Sequence, residues 1–210
     1  MFIISYLIDW QVLKVADVFL LGGKNMKLLV IYAVEEERID VPFDGEVFYV
    51  KTGIGKVKAA VKAQEAILDI KPDLVLNIGT AGSVKHAVGD IIVCFDFLDR
   101  DLIKINHPEI TSKLQIDKNT LAKVFPKIPV DNDYECGTGD SFVLKAEELT
   151  SDVCDMEAFA IATVCEYYKV PFVAIKYVSD KVGENNLKMW EETLANARTG
   201  LSLFFKTLQN

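Results

Sequence analysis

The run PFVAIKYVSD at residues 171–180 decides how this chain is expected to fold. Its β-branched and aromatic residues predict a short strand buried on both faces, as strands of parallel sheets are. Asp180 stands where the strand is expected to end, and open α/β sheets bind ligands at the carboxyl ends of their strands. Desolvation there would raise the pKa of Asp180 toward that of a proton donor. On this segment alone, Asp180 could equally cap the next helix.

Strands and helices alternate along the rest of the chain. Strands are expected at residues 26–33, 46–52, 73–78, 89–95 and 170–178, and helices at residues 56–70, 118–125, 156–169 and 188–208. Small residues at 79–83 predict a loop after the third strand. The alternation predicts an α/β protein, a three-layer α/β/α sandwich around a mixed, mostly parallel central sheet.

The length and composition indicate one domain over residues 26–210. The chain has 210 residues, half of them hydrophobic, and no Pro/Gly/Ser-rich stretch divides it. Residues 1–25 are expected to be an N-terminal extension, because the GGKN sequence at 22–25 interrupts the pattern before a clear first strand. The extension is apolar, but polar residues break it well short of the roughly 20 residues that a membrane span needs. No membrane association is therefore expected.

Charge and cysteine content narrow the possible partners. The 31 acidic and 23 basic residues give a net charge of -8, which argues against a nucleic-acid partner. The four cysteines show no C-x-x-C spacing and the chain has two histidines, so no metal site is predicted. Thiols of this kind are typical of a reduced, cytoplasmic protein.

Three acidic residues stand at junctions between predicted elements, namely Glu37, Glu157 and Asp180. Each has a simple structural explanation, because glutamates at a helix start favour the helix dipole. Glu157, however, lies between Met156 and Ala158 in an apolar region, where an unpaired carboxylate is costly. Hydroxyl groups of a ligand would satisfy it.

Two glycine-containing segments are candidate sites for a phosphate group or a flat ring. The TGIGK segment at 52–56 lacks the P-loop spacing, and Val57 stands where that motif has Ser or Thr. As a dinucleotide motif it also fails, because Lys58 replaces the third glycine. A tight strand-to-helix turn remains the simple interpretation. The small residues at 79–83 would let a flat ring approach the backbone closely.

Six motifs together resemble those of the nucleoside phosphorylase/hydrolase superfamily, most closely its 5'-methylthioadenosine/S-adenosylhomocysteine nucleosidase family. They are AVEEE at 33–37, TGIGKV at 52–57, NIGTAG at 77–82, GDSFV at 139–143, DMEA at 155–158 and VSD at 178–180. The resemblance implies a purine nucleoside N-glycosidase that releases adenine from 5'-methylthioadenosine, S-adenosylhomocysteine or a related nucleoside.

The resemblance also implies roles for individual residues. Asp180 would protonate purine N7 with Ser179 orienting it, and Glu37 would hold and deprotonate the attacking water. Met156 and Glu157 would hold the ribose hydroxyls. Protonating the departing base and placing carboxylate near the cationic sugar both lower the barrier to cleavage.

Further residues complete the implied pocket. Phe142 would stack on the purine, and the backbone at Val143 would read its edge. Lys176 stands where the family often carries arginine. The other implied pocket residues are Val34, Ile54, Thr80, Ala81 and Gly82. No cofactor or metal is expected because water is the second reactant, and the resemblance implies a homodimer.

Electrostatics favour water over phosphate as the nucleophile. Glutamates at 35–37 would repel an anion, and Asn77 stands where phosphorylases of this superfamily would use arginine. Arg38 and Arg100 remain possible anion partners, so a phosphate-dependent nucleoside phosphorylase is the alternative. Only eight residues separate Glu37 from the next strand, at residue 46. This shortening leaves open a non-catalytic nucleoside-binding protein.

Overall fold

The computed structural model describes residues 26–105, 107–118, 128–184 and 186–208. The expected extension at residues 1–25 and nearly all of the expected helix at 118–125 lie outside these ranges. Within the described ranges none of the helices is long and apolar enough to cross a membrane.

Eight strands and three α-helices make up the described fold. The strands are β1 (Met26–Tyr32), β2 (Gly45–Lys51), β3 (Leu74–Ser83), β4 (Ile91–Asp99), β5 (Lys113–Gln115), β6 (Tyr134–Thr138), β7 (Val153–Asp155) and β8 (Phe172–Lys181). The helices are α1 (Lys56–Ile70), α2 (Ala158–Tyr168) and α3 (Asn186–Thr207). The α/β class is confirmed. The sheet is mixed, with five parallel strand pairings and three antiparallel ones.

Five of the strands pair in a closed ring. β3 pairs in parallel with β8, and β8 pairs antiparallel with β4. β4 then pairs with β6, β6 with β7, and β7 returns to β3. β1 pairs with the first half of β3 on the side opposite β8, and β2 pairs with β1 at the edge of the sheet. The ring brings the ends of β3, β7 and β8 together.

The prediction of a loop at residues 79–83 is wrong, because β3 continues as a strand to Ser83. Small residues stay in the strand here because β3 is paired on both sides. Gly82 lies opposite Asp180 of β8 and Cys154 of β7, after a bulge between Ala81 and Gly82. β8 likewise runs to Lys181, so Asp180 lies within the last residues of the strand and not beyond it.

The core has two parts, one on each face of the sheet. In β1, Leu29 and Ile31 pack with α1 and α2 on one face, whereas Leu28 and Val30 pack with α3 on the other. This alternation is that of any strand. Because both faces are covered, β1 is a nearly continuous apolar run. Thr80 and Asp180 are thus carried by strands that are buried on both sides.

Candidate active site

A cavity of about 190 Å³ lies at the ends of β3, β7 and β8. It brings together the three acidic residues predicted from the sequence, Glu37, Glu157 and Asp180. The other predicted site residues that line it are Ile54, Thr80, Ala81, Gly82, Phe142, Val143, Met156 and Ser179. Val34 and Lys176 are not among its lining residues.

Glu37 is held by four hydrogen bonds and is 3% exposed. Its Oε1 accepts from the Thr80 backbone nitrogen at 2.8 Å and from Thr80 Oγ1 at 2.7 Å. Its Oε2 accepts from the backbone nitrogens of Ala33 at 3.2 Å and Val34 at 3.3 Å. Val34 therefore acts on the carboxylate through its backbone. Hydrogen bonds to an ionised acceptor are among the stronger ones in proteins, so this carboxylate has a fixed orientation.

The turn that carries Glu37 is anchored by helix α3 on one side and packs closely against β3 on the other. The short 3-10 turn Glu35–Glu37 follows β1 directly. Arg198 of α3 donates from Nε to the Glu36 carbonyl at 2.9 Å and from Nη2 to the Glu35 carbonyl at 2.7 Å. On the other side, a Cβ at Gly79 would lie 3.1 Å from Glu37 Oε1. A glycine at position 79 therefore gives the carboxylate room to reach Thr80.

Asp180 faces the cavity from β8 and is 4% exposed. Burial raises the pKa of its carboxyl group above the ordinary value, and a hydrogen bond from Ser179 partly opposes this effect. Ser179 Oγ donates to Asp180 Oδ1 at 2.7 Å. Asp180 Oδ2 lies 2.9 Å from where a Cβ of Gly82 would be. The side chain is therefore oriented and prone to carry a proton.

Glu157 stands at the start of α2 and is 8% exposed. Burial, followed by the nearby charge of Asp155, raises the pKa of Glu157 to about 8. Its Oε1 accepts from the backbone nitrogen of Gly55 at 3.0 Å. Gly55 precedes α1 with φ of 104°, a left-handed conformation that favours glycine. The TGIGK turn thus serves to hold Glu157.

Lys176 was expected to face the substrate, but the structure places it behind the pocket in a buried ion pair. Its Nζ lies 2.8 Å from Asp155 Oδ2, and both side chains are 1% exposed. Asp155 also accepts from Thr138 Oγ1 at 2.6 Å and from the Ala158 backbone nitrogen at 2.9 Å. Burial opposes ionisation of both partners, but each holds the other charged, so the pKa of Asp155 is lowered and that of Lys176 is raised.

The two arginines considered as anion partners are both engaged elsewhere. Arg38 packs over the Tyr49 ring at 4.7 Å and does not line the cavity. Arg100 lines the cavity, but its guanidinium donates to the Gly137 carbonyl at 3.1 Å and to the Ser141 carbonyl at 2.8 Å. Arg100 therefore positions the backbone that carries Phe142.

The sequence prediction missed several lining residues, of which Trp190 is the most informative. Trp190 lies on α3 and donates from Nε1 to Thr80 Oγ1 at 2.8 Å. Its only signal in the sequence was a position near the start of the C-terminal helix. The remaining lining residues outside the prediction are Ala33, Arg100, Ser141, Cys154 and Asp155.

The arrangement offers acid–base chemistry. A buried carboxyl group with a raised pKa can give a proton, and a carboxylate fixed by four donors can receive one. Apolar side chains around them, including Ile54 and Phe142, suit a flat ring. Among the described residues, no group of three or more His, Cys, Asp or Glu side chains could hold a metal ion.

The chain belongs to the phosphorylase superfamily. The model of that family matches residues 41–127 and 136–209, which include the elements from β2 to α3 apart from the first two residues of β6.

Within that superfamily, the chain belongs to the family of 5'-methylthioadenosine/S-adenosylhomocysteine nucleosidases. The nucleosidase of this name from Buchnera aphidicola is 31% identical over 187 residues, covering 78% of each chain. The crystal structure of the Colwellia psychrerythraea nucleosidase in complex with adenine has a TM-score of 0.72 and 26% identity, covering 90% of this chain and 97% of that one. Futalosine hydrolase of Helicobacter pylori shares the fold, with a TM-score of 0.73, 22% identity and coverage of 87% and 97%.

Proposed function

We propose that the protein hydrolyses the N-glycosidic bond of a purine nucleoside and releases adenine from 5'-methylthioadenosine, S-adenosylhomocysteine or a related nucleoside. The observation that carries this proposal is the convergence of Glu37, Glu157 and Asp180 on one cavity. The curated relative and the adenine-bound nucleosidase structure support the substrate class. The related fold of futalosine hydrolase extends the range of nucleosides to be tested.

Asp180 supplies the proton to the departing base. As the bond from C1' to the purine breaks, electrons move onto the base, and protonation at N7 neutralises them. The buried environment that raises the pKa of Asp180 keeps the proton available. Ser179 donates to Oδ1, which leaves Oδ2 as the oxygen on which the proton can reside.

Glu37 activates the water. Its Oε1 accepts from both the nitrogen and the hydroxyl of Thr80, and its Oε2 accepts from Ala33 and Val34. A water bound to this carboxylate attacks C1' and gives up a proton to it, so the products are adenine and the free sugar. The negative charge also stabilises the cationic sugar in the transition state.

Glu157 and Met156 hold the ribose. Ribose hydroxyls donate to the carboxylate of Glu157, whose other contact is the Gly55 backbone nitrogen at 3.0 Å. The purine lies against Phe142 and Ile54, and the backbone of Val143 contacts its edge. Thr80, Ala81 and Gly82 line the cavity beneath the substrate. Lys176 does not contact the substrate; it pairs with Asp155, and the charge of Asp155 in turn affects Glu157.

Water is favoured over phosphate as the second reactant. Arg100 is the arginine at the cavity, and its guanidinium is bonded to backbone carbonyls, as a structural group would be. The carboxylate of Glu37 would repel a phosphate dianion. No cofactor is needed for this reaction.

The test is to incubate the protein with 5'-methylthioadenosine, S-adenosylhomocysteine and futalosine, with and without inorganic phosphate. Release of base and free sugar without phosphate is expected, and the Asp180→Asn variant should lose turnover by at least about 100-fold because the proton donor is gone. Turnover that depends strictly on phosphate would favour a phosphorylase. Tight binding by calorimetry with no base release would favour the non-catalytic alternative.

The remaining expectations about the whole protein are also proposals. We propose a single domain over residues 26–210 with an extension at 1–25, folded as a three-layer sandwich with α1 and α2 on one face and α3 on the other. A homodimer is supported by an exposed apolar stripe on α1 formed by Val57, Val61 and Leu68. A cytoplasmic location is consistent with the four free cysteines.

A further inference from the structure

Trp190 begins a chain of hydrogen bonds that ends on the carboxylate of Glu37. Trp190 Nε1 donates to Thr80 Oγ1 at 2.8 Å, and Thr80 Oγ1 donates to Glu37 Oε1 at 2.7 Å. The Thr80 backbone nitrogen donates to the same Oε1 at 2.8 Å. Thr80 and Glu37 are both buried. The three side chains come from α3, β3 and the turn after β1.

Which group donates in each of these hydrogen bonds follows from the chemistry of Trp190, Thr80 and Glu37. An indole N–H can only donate, so the bond between Trp190 and Thr80 must use a lone pair of the hydroxyl oxygen. A hydroxyl has one proton, and an ionised carboxylate can only accept. Thr80 therefore directs its proton to Glu37, and the indole N–H limits the other rotations of that hydroxyl.

We infer that Trp190 is a positioning residue for the hydrolysis, which fixes the water-activating carboxylate of Glu37 through the hydroxyl of Thr80. The inference rests on the proposed function, in which Glu37 receives the proton of the attacking water. Trp190 also lines the cavity, so its ring has a second, purely steric role as a wall. The two roles are separable because only the first requires the indole nitrogen.

Helix α3 is well placed to act on the site in this way. Arg198, eight residues after Trp190, holds the carbonyls of Glu35 and Glu36. Thr193, between them, has its Oγ1 3.0 Å from the Ser179 carbonyl, and the same hydroxyl also contacts the Met189 carbonyl of its own helix. Helix α3 thus contacts the turn that carries Glu37, the hydroxyl of Thr80 that donates to Glu37, and the strand that carries Asp180.

The kinetic test uses Trp190→Phe, which keeps an aromatic wall and removes the N–H. One hydrogen bond contributes about 0.5–1.5 kcal/mol, so kcat should fall roughly 2- to 12-fold while KM stays within about twofold. Thr80→Val should lower kcat further because it removes a direct donor to Glu37. The double variant should be no slower than Thr80→Val alone, because the indole then has no hydroxyl to orient.

Tryptophan fluorescence is a second measurement, which detects the hydrogen bond between Trp190 and Thr80 without an activity assay. The chain has two tryptophans, so a Trp10→Phe background leaves Trp190 as the only indole fluorophore. Thr80→Val should shift the emission of Trp190, whereas Thr80→Ser, which retains the hydroxyl, should not. Circular dichroism checks that each variant is folded.

The outcomes separate the two proposals. If the wild-type protein releases no base, the proposed function fails. If the wild-type protein is active but Trp190→Phe matches it in kcat, the positioning role is overturned. Effects that multiply in the double variant, a change confined to KM, or an emission spectrum unaffected by Thr80→Val would each overturn it as well.

Discussion

At the residue scale, the charge balance behind the pocket depends on Lys176. Lys176 lies in a strand that the sequence alone presents as a continuous apolar run, and its partner Asp155 is 21 positions earlier in the chain. The resemblance could place both residues near the site, but it could not show that they contact each other. Their pairing explains how Glu157 can lie in an apolar region beside a second carboxylate.

Replacing Lys176 by Met should destabilise the fold by about 3–5 kcal/mol, because it leaves Asp155 buried without its counter-ion. Urea unfolding measures this change. Lys176→Arg keeps the charge and should be less harmful. Lys62→Met, which removes a lysine from an exposed pair with Glu65, is the matched control and should change stability by less than about 1 kcal/mol. Equal losses at positions 176 and 62 would contradict the importance of the buried pair.

The raised pKa of Glu157 predicts a specific dependence of stability on pH. The folded state holds the proton up to about pH 8, whereas the model value for an unfolded glutamate is 4.5. Native Glu157 therefore binds its proton more tightly, and the stability this contributes is present below about pH 4.5 and is lost as the pH rises through about 8. Glu157→Gln keeps an oxygen acceptor for Gly55 but cannot ionise.

The free energy of unfolding of the wild-type protein should therefore fall relative to Glu157→Gln as the pH is raised from 5 to 9. Urea titrations at several pH values test this difference. Parallel curves for the two proteins would show that Glu157 titrates at its ordinary pKa.

At the scale of the element, β3 shows which part of a strand could not be predicted from the sequence. The apolar residues at 74–78 identified the strand, but Gly79, Ala81 and Gly82 suggested a loop because small residues are common in loops. Pairing with β8 and β7 keeps them extended, and no local pattern encodes such distant partners. The same small residues leave space for two carboxylates, Glu37 at Gly79 and Asp180 at Gly82.

Gly79→Ala should therefore impair catalysis more than folding. Its Cβ would lie 3.1 Å from Glu37 Oε1, which is tight enough to displace the carboxylate from Thr80. We expect kcat to fall by roughly 10-fold or more, since small displacements of catalytic groups can cost up to about 100-fold. Urea unfolding serves as the control and should show a much smaller proportional change. A variant with normal kcat would mean that Glu37 tolerates the added methyl group.

At the scale of the whole molecule, the order of the elements and the α/β class could be predicted because each long element carries its own periodicity. The closure of five strands into a ring could not be, because it depends on β7, a strand of only three residues, and on the antiparallel contact of β8 with β4. The three acidic residues were found because they stand at junctions between predicted elements, and their roles came from the family resemblance. Trp190 was not, because a hydrogen bond over 110 positions leaves no local trace.

Deleting residues 1–25, so that the chain starts at Met26, should leave kcat/KM within about twofold and the urea midpoint nearly unchanged. β1 begins at Met26, and the cavity is lined by residues from Ala33 to Trp190. Steady-state assays and urea unfolding of the shortened protein test this expectation. A loss of activity or solubility would show that the extension is part of the folded domain.

The closed ring has a practical consequence for redesign. Strands that are hydrogen-bonded on both sides cannot splay apart, so the ring is a rigid frame that carries Asp180 on β8 and, through Thr80 of β3, holds the carboxylate of Glu37. Ile54, Phe142 and Trp190 reach the opening from a turn, a loop and a helix outside that frame. Libraries intended to change which nucleoside is accepted should therefore vary Ile54 and Phe142, and leave unchanged both the frame and Trp190, whose indole N–H is bonded to Thr80.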